Sequence, residues 1–130
     1  MRLVLDASAA VNALVPGHLR NATLRHFDGA ELFAPALIDT EVLSALARLE
    51  RTEVITTREA DSAVTAWTRL LCTKLETEPT IPAIWALRHA VRVSDAHYAV
   101  VARILDAPLL TADVRLSRGH LPGVSVLTVG

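Results

Sequence analysis

Four acidic residues stand where the chain passes from one predicted structural element to the next. Asp6 and Asp113 each follow a short apolar run. Asp95 opens an apolar helical stretch, and Glu41 lies early in another predicted helix. Strand ends and helix starts of an open α/β sheet face one crevice, so acids that are distant in sequence can converge there. Because converging carboxylates repel one another unless a cation joins them, this pattern predicts a divalent-metal site.

The residue types in this set suit Mg²⁺ or Mn²⁺ better than zinc. The first two are hard cations that prefer oxygen ligands and keep several waters, whereas zinc favours His or Cys. Such an ion lowers the pKa of a water and neutralises charge at a phosphate, so the acids indicate phosphodiester hydrolysis without a protein nucleophile. The five histidines include no i, i+4 pair that would favour zinc: His18, His26, His89, His97 and His120.

The elements that must position these acids follow from apolar spacing, helix caps and Gly or Pro breaks. Strands are predicted at residues 3–5, 31–34, 109–111 and 124–129. Helices are predicted at residues 7–14, 19–27, 37–51, 57–75, 83–91, 95–105 and 113–118. This order predicts an α/β fold, in which helices flank a small, mainly parallel sheet and the third and fourth helices form a hairpin.

The composition predicts one soluble domain over residues 1–130. The chain has the size of one ordinary domain, and its apolar runs stay well below the roughly 20 residues that span a bilayer. No secretory signal pattern opens the sequence, so the cytoplasm is the expected location. The formal net charge of −1 gives no bulk signature of a nucleic-acid partner. The single cysteine, Cys72, is expected to be a buried apolar residue without chemistry.

Each acid taken alone has a structural explanation. Asp6 and Asp113 can cap the helices that follow them. Asp95 in a first helical turn is favoured by the helix dipole by about a few tenths of a kcal/mol. Glu41 and Asp39 flank the same apolar stripe, so helical periodicity leaves the choice between them open. The metal-site prediction therefore depends on the convergence of the acids at one sheet edge.

Four stretches of the chain resemble PIN-domain ribonucleases, and in particular VapC-type toxins. These stretches occur in the family's order, and the likeness covers essentially the whole chain: residues 3–9, 41–43, 94–99 and 109–113. The resemblance implies a PIN-like fold with a helical hairpin insertion. It also implies that Asp6, Glu41, Asp95 and Asp113 form an acidic site for Mg²⁺ or Mn²⁺ and that Ser8 and Thr111 are supporting hydroxyls. It selects Glu41 over Asp39.

The resemblance further implies a metal-dependent endoribonuclease that acts as the toxin of a toxin–antitoxin pair. Its expected partners are a cognate antitoxin, a second copy of the chain in a homodimer and a structured RNA such as tRNA. Aromatic residues make up only 4% of the chain, which argues against base stacking as the main binding mode. Four arginines are candidates for phosphate contacts, although some can equally complement a helix dipole: Arg88, Arg92, Arg115 and Arg118.

Several other protein classes fit the sequence less well. A receiver domain would need adjacent acids after the first strand and a lysine near the last strands, where Lys74 does not lie. A haloacid-dehalogenase-like phosphatase would need an aspartate at position 8, which is Ser8. No Gly-rich nucleotide-binding loop occurs. Two alternatives remain open, namely a catalytically inactive PIN-like binding module and a stand-alone RNA-processing nuclease.

Overall fold

The sheet of this protein contains five parallel strands in the computed structural model, which describes residues 1–119 and 121–129. In sequence order the strands are β1 (Arg2–Leu5), β2 (Glu31–Pro35), β3 (Cys72–Leu75), β4 (Leu109–Thr111) and β5 (Val126–Thr128). Their spatial order is β3-β2-β1-β4-β5, and every pairing is parallel. The predicted α/β class with a small parallel sheet is confirmed.

Seven α-helices surround the sheet within the described part of the chain. They are α1 (Ala7–Leu14), α2 (Arg20–Phe27), α3 (Ile38–Arg51), α4 (Thr57–Arg69), α5 (Ile81–Ala86), α6 (Val93–Leu105) and α7 (Val114–Arg118). Helices α3 and α4 pack against each other as the predicted hairpin, and Thr56 and Glu59 form a capping box at the start of α4. None of these helices has the length and apolar character that crossing a bilayer requires.

The prediction of one helix over residues 57–75 is wrong at its C-terminal end. Helix α4 stops at Arg69 because Leu70 adopts extended backbone angles, and Leu71 is 90% exposed. The next four residues form the edge strand β3, which pairs with β2. The periodicity of a short apolar run fits a helix and a strand equally well. Pairing with the distant strand β2 is what makes this segment a strand.

Other element boundaries shift by smaller amounts. The helix predicted at 83–91 is α5, which begins earlier and ends at Ala86, with Pro82 in its first turn, where proline is tolerated. Pro35 is the last residue of β2, and α6 begins at Val93, two residues before the predicted start, with Arg92 as its N-cap. The last strand is shorter than the predicted 124–129.

The core lies between the central strands and helix α6. Leu3, Val4 and Leu5 are consecutive and all buried, so both faces of β1 are covered by other elements. Ala96 and Ala99 of α6 are fully buried, and side chains of this size let a helix approach a sheet closely. Strands β1 and β4 are neighbours in the sheet, and their C-terminal ends therefore emerge side by side.

Candidate active site

Asp6 leaves the C-terminal end of β1 and caps helix α1. Its carboxylate accepts hydrogen bonds from the backbone N–H of Ser8 at 3.4 Å, from Ser8 Oγ at 2.5 Å and from Thr111 Oγ1 at 2.8 Å. Only 7% of the residue is exposed. The capping explanation of Asp6 is therefore correct, and the same residue also lies at the junction of two strands.

Ser8 and Thr111 tie the ends of β1 and β4 together. Ser8 Oγ accepts a hydrogen bond from the N–H of Ala112 at 3.0 Å, and Thr111 Oγ1 accepts one from the N–H of Asp113 at 3.0 Å. Because each hydroxyl accepts from the backbone, its own proton is available for the Asp6 carboxylate. The two hydroxyls, one in the first turn of α1 and one at the end of β4, thus hold Asp6 in one orientation.

Burial makes the negative charge of Asp6 unfavourable. It raises the pKa of this carboxyl above its ordinary value, while the hydrogen bonds from Ser8 and Thr111 lower it and the nearby charge of Asp95 raises it. Burial is the largest of these effects. A buried carboxylate in this situation is stabilised by a nearby cation.

Asp95 and Asp113 are bridged by one guanidinium group. Asp95 lies in the first turn of α6, where it is buried, and Asp113 caps α7 by accepting from the N–H of Arg115 at 2.9 Å. Arg115 places Nη1 3.0 Å from Asp95 and Nη2 3.0 Å from Asp113. Arg92 also contacts Asp95, at 3.3 Å. The hydrogen bond to Asp95 raises the pKa of Arg115, so this side chain stays positively charged.

The structure distinguishes between Glu41 and Asp39, which helical periodicity left as alternatives. Glu41 accepts a hydrogen bond from the hydroxyl of Tyr98, which is buried. Burial, followed by the bond to Glu41, raises the pKa of Tyr98, so this hydroxyl remains a proton donor. Asp39 instead accepts from Trp67 Nε1 at 2.8 Å and lies 3.0 Å from the ammonium of Lys74. Glu41 therefore contacts helix α6, which also carries Asp95, whereas Asp39 belongs to the contact between α3, α4 and β3.

All four predicted acids line one open cleft of about 540 Å³. Ser8, Arg92 and Arg115 line it too. Sequence reasoning missed two further residues of its wall, Arg48 and Arg51, which lie in the last turn of α3. Arg48 follows Glu41 by seven residues, a spacing that places both on the same face of a helix. This spacing was the sequence signal that could have identified Arg48 as part of the site.

The remaining candidate residues lie outside this cleft. Arg88 stacks over Trp85, with its guanidinium carbon 4.4 Å from the ring centroid, and Arg118 is not part of the cleft wall. The described histidines do not line the cleft either, and His120 lies outside the described residues. Cys72 is half-buried, and burial raises its pKa to about 11, so the thiol stays protonated at neutral pH.

The oxygen donors of the cleft fit Mg²⁺ or Mn²⁺. Among residues 1–119 and 121–129, no three acidic, His or Cys side chains stand close enough to hold an ion together as they are arranged. Asp95 and Asp113 are joined by the Arg115 guanidinium, which shows that a single cationic group can bridge them. The donors that surround this cation are carboxylate oxygens, and hard divalent ions prefer such ligands.

Comparison with known proteins relates the chain to one family. The PIN domain family model matches residues 3–120. VapC ribonuclease Mb0985 of Mycobacterium bovis is 35% identical over 116 residues, which cover 88% of either chain. The structure of VapBC2 from Rickettsia felis bound to a promoter DNA fragment aligns over 100% of both chains, with a TM-score of 0.73 and 12% identity. VapBC-5 of Mycobacterium tuberculosis, from the VapBC family of toxin-antitoxin systems, covers 98% of each chain with a TM-score of 0.55 and 19% identity. At these identities the two structures bear on the fold alone.

Proposed function

This chain belongs to the PIN-domain family, among the VapC ribonucleases, and we propose that it hydrolyses RNA with Mg²⁺ or Mn²⁺ in the acidic cleft. The observation that supports this function best is the convergence of Asp6, Glu41, Asp95 and Asp113 on one cleft. Helix caps have no structural reason to share a cleft with a fourth acid, Glu41, from the first turn of another sheet-flanking helix. A cation bound by all four acids accounts for this arrangement, because it offsets the repulsion between their negative charges.

In this proposal the four acids hold the ion, and the surrounding residues orient the acids. The ion's chemistry is to lower the pKa of a water and to neutralise charge that develops on the phosphate. Ser8 and Thr111 hold the Asp6 carboxylate through their hydroxyl protons. Tyr98 donates to one oxygen of Glu41 and so fixes the orientation of that carboxylate. No side chain of the protein needs to act as the nucleophile.

Arg115 competes with a metal ion for Asp95 and Asp113 in this proposal. Both of its ion pairs are partly exposed, so each contributes at most about 1 kcal/mol. Arg115→Ala is therefore expected to bind Mn²⁺ about threefold to tenfold more tightly than the wild-type protein, as measured by titration calorimetry. Arg118→Ala removes the same charge from the same helix but not from the cleft, and it serves as the control. Weaker Mn²⁺ binding in Arg115→Ala would contradict this competition.

We also propose that the protein is the toxin of a toxin–antitoxin pair. The VapBC-5 structure comes from such a system, and this chain shares its fold. The proposed partners are a cognate antitoxin, a second copy in a homodimer and a structured RNA such as tRNA as substrate. Large apolar side chains remain exposed on α5 and α6 and leave surface for a protein partner: Ile81, Trp85 and Ile104.

Metal removal tests the proposed activity directly. Purified protein, freed of any antitoxin, is expected to cleave tRNA in the presence of Mg²⁺ or Mn²⁺ and to lose this activity in EDTA. Adding excess Mn²⁺ back should restore cleavage, which shows that EDTA acted through the metal. Equal cleavage in EDTA would contradict the metal mechanism. RNA binding without cleavage at any metal concentration would favour the inactive binding module.

A further inference from the structure

One wall of the acidic cleft is a single face of helix α3. Glu41, Ser44, Arg48 and Arg51 line it at spacings of three or four residues, which place them above one another along the helix. With a rise of 1.5 Å per residue, Arg48 lies about 10 Å and Arg51 about 15 Å from Glu41 along the helix axis. The wall therefore carries an acid at its start and two cations farther along.

The four arginines of the cleft fall into two pairs. Arg92 and Arg115 are bound to the acids of the site. By contrast, no carboxylate in the described part of the chain lies within 4 Å of the exposed guanidinium groups of Arg48 and Arg51. Both can complement the dipole at the end of α3, but that interaction does not require them to line the cleft. Their charge is available to a ligand there.

We propose that Arg48 and Arg51 bind backbone phosphates of the RNA that flank the scissile bond, so that the strand runs along α3. This inference rests on the proposed function and adds the path of the substrate. Four acids repel a polyanion, so binding energy must come from cations that the acids do not neutralise. A guanidinium can bind phosphate through two parallel hydrogen bonds, which suits arginine to this task.

The other residues of the cleft support recognition of the RNA backbone. No aromatic side chain is among the described residues that line it, so bases have no ring on which to stack. Thr40, Ser44 and Ser94 supply hydroxyl groups instead. At 10 Å or more from Glu41 along the helix, the two arginines are placed for phosphates beside the scissile one. Their contribution should therefore be to substrate affinity and not to the chemical step.

The test measures RNA binding in an inactive background, the Asp6→Asn variant, whose cleft arginines are unchanged. In that background Arg48→Ala/Arg51→Ala is expected to weaken binding of a fluorescent RNA hairpin at least tenfold. The slope of log affinity against log salt should become shallower by about 1.4 to 1.8, the value for two lost phosphate contacts. With Asp6 intact, the same double variant should raise KM and leave kcat within about threefold, because the interaction is equal in ground and transition states.

A matched control removes the same charge elsewhere. Arg20→Ala/Arg25→Ala changes two exposed arginines of α2 that do not line the cleft, and it should leave affinity and salt slope nearly unchanged. Arg48→Lys/Arg51→Lys should recover part of the affinity, since lysine keeps the charge without the bidentate geometry. Equal losses in the α2 and α3 double variants would overturn the proposal.

This test separates the substrate path from the proposed function. Wild-type protein that cleaves RNA, together with an Arg48/Arg51 variant that binds as tightly as the α2 control, would refute only the path. A wild-type protein that binds RNA through the two arginines but never cleaves it would refute the nuclease and retain the path. Circular dichroism of each variant verifies the fold, and the lysine variant keeps the test decisive if the alanine pair unfolds.

Discussion

Replacing Asp6 or Asp95 with asparagine is expected to reduce RNA cleavage by at least about a thousandfold while the protein stays folded. Each change removes one negative charge from the proposed metal site with little change in side-chain volume. Loss of several kcal/mol of charge stabilisation in the transition state corresponds to about three powers of ten in rate. Single-turnover cleavage of RNA at saturating Mg²⁺ measures the effect. Asp61→Asn, on the exposed side of α4, is the control.

Asp6→Asn should separate catalysis from stability. Burial raises the pKa of Asp6 in the folded protein above its value in the unfolded chain. The stability that protonated Asp6 contributes is therefore fully present below the pKa of this carboxyl in the unfolded chain, which is near 4. It is lost as the pH rises through the pKa of Asp6 in the folded protein. Asparagine is neutral at every pH and its oxygen can still accept from Ser8 and Thr111. In EDTA at pH 7 the variant should thus unfold at a higher temperature than the wild-type protein.

Two outcomes would contradict this assignment of Asp6 and Asp95. Wild-type rates in both asparagine variants would leave the two acids as structural residues only. An Asp6→Asn protein that unfolds at a lower temperature than the wild-type protein across pH 4.5 to 7.5 in EDTA would mean that the cap, and not charge burial, dominates. The measurement is thermal unfolding followed by circular dichroism, with Asp61→Asn scanned in parallel.

Glu41→Gln is expected to lower cleavage at least about a hundredfold, whereas Asp39→Asn should leave it within about twofold. Glu41 shares the cleft with the other acids, and Asp39 bonds to Trp67 and Lys74 outside it. Asp39→Asn should instead lower the free energy of unfolding by about 0.5 to 1 kcal/mol, because the ion pair with Lys74 is partly exposed. Cleavage rates and urea unfolding of both variants distinguish the two roles.

The pair of variants works as a reciprocal control. Both acids lie in the first turn of α3, two residues apart, and both substitutions remove one charge and keep one oxygen. A general effect of charge on RNA binding would therefore lower both activities to a similar degree. An inactive Asp39→Asn protein beside an active Glu41→Gln protein would reverse the assignment.

Local signals in the sequence were sufficient for most of the fold. The apolar run before Asp6, the capping box at Thr56 and the stripe of α3 each act within a few residues, so they are visible without a structure. Strand β3 was missed because its residues become a strand only by pairing with β2, which lies some 40 residues earlier. The helix predicted over that segment satisfied the same apolar pattern.

The amino-acid sequence by itself determined the α/β class, the order of the elements other than β3, and an oxygen-rich set of acids suited to Mg²⁺ or Mn²⁺. Only the tertiary structure decided which acids share a cleft, since Glu41 and Asp39 differ in the neighbours that packing brings to them. It also showed Arg115 between Asp95 and Asp113, and Arg48 on the cleft wall. The physical reason is that residue type and spacing set local geometry, whereas charge pairing depends on distances between segments far apart in the chain.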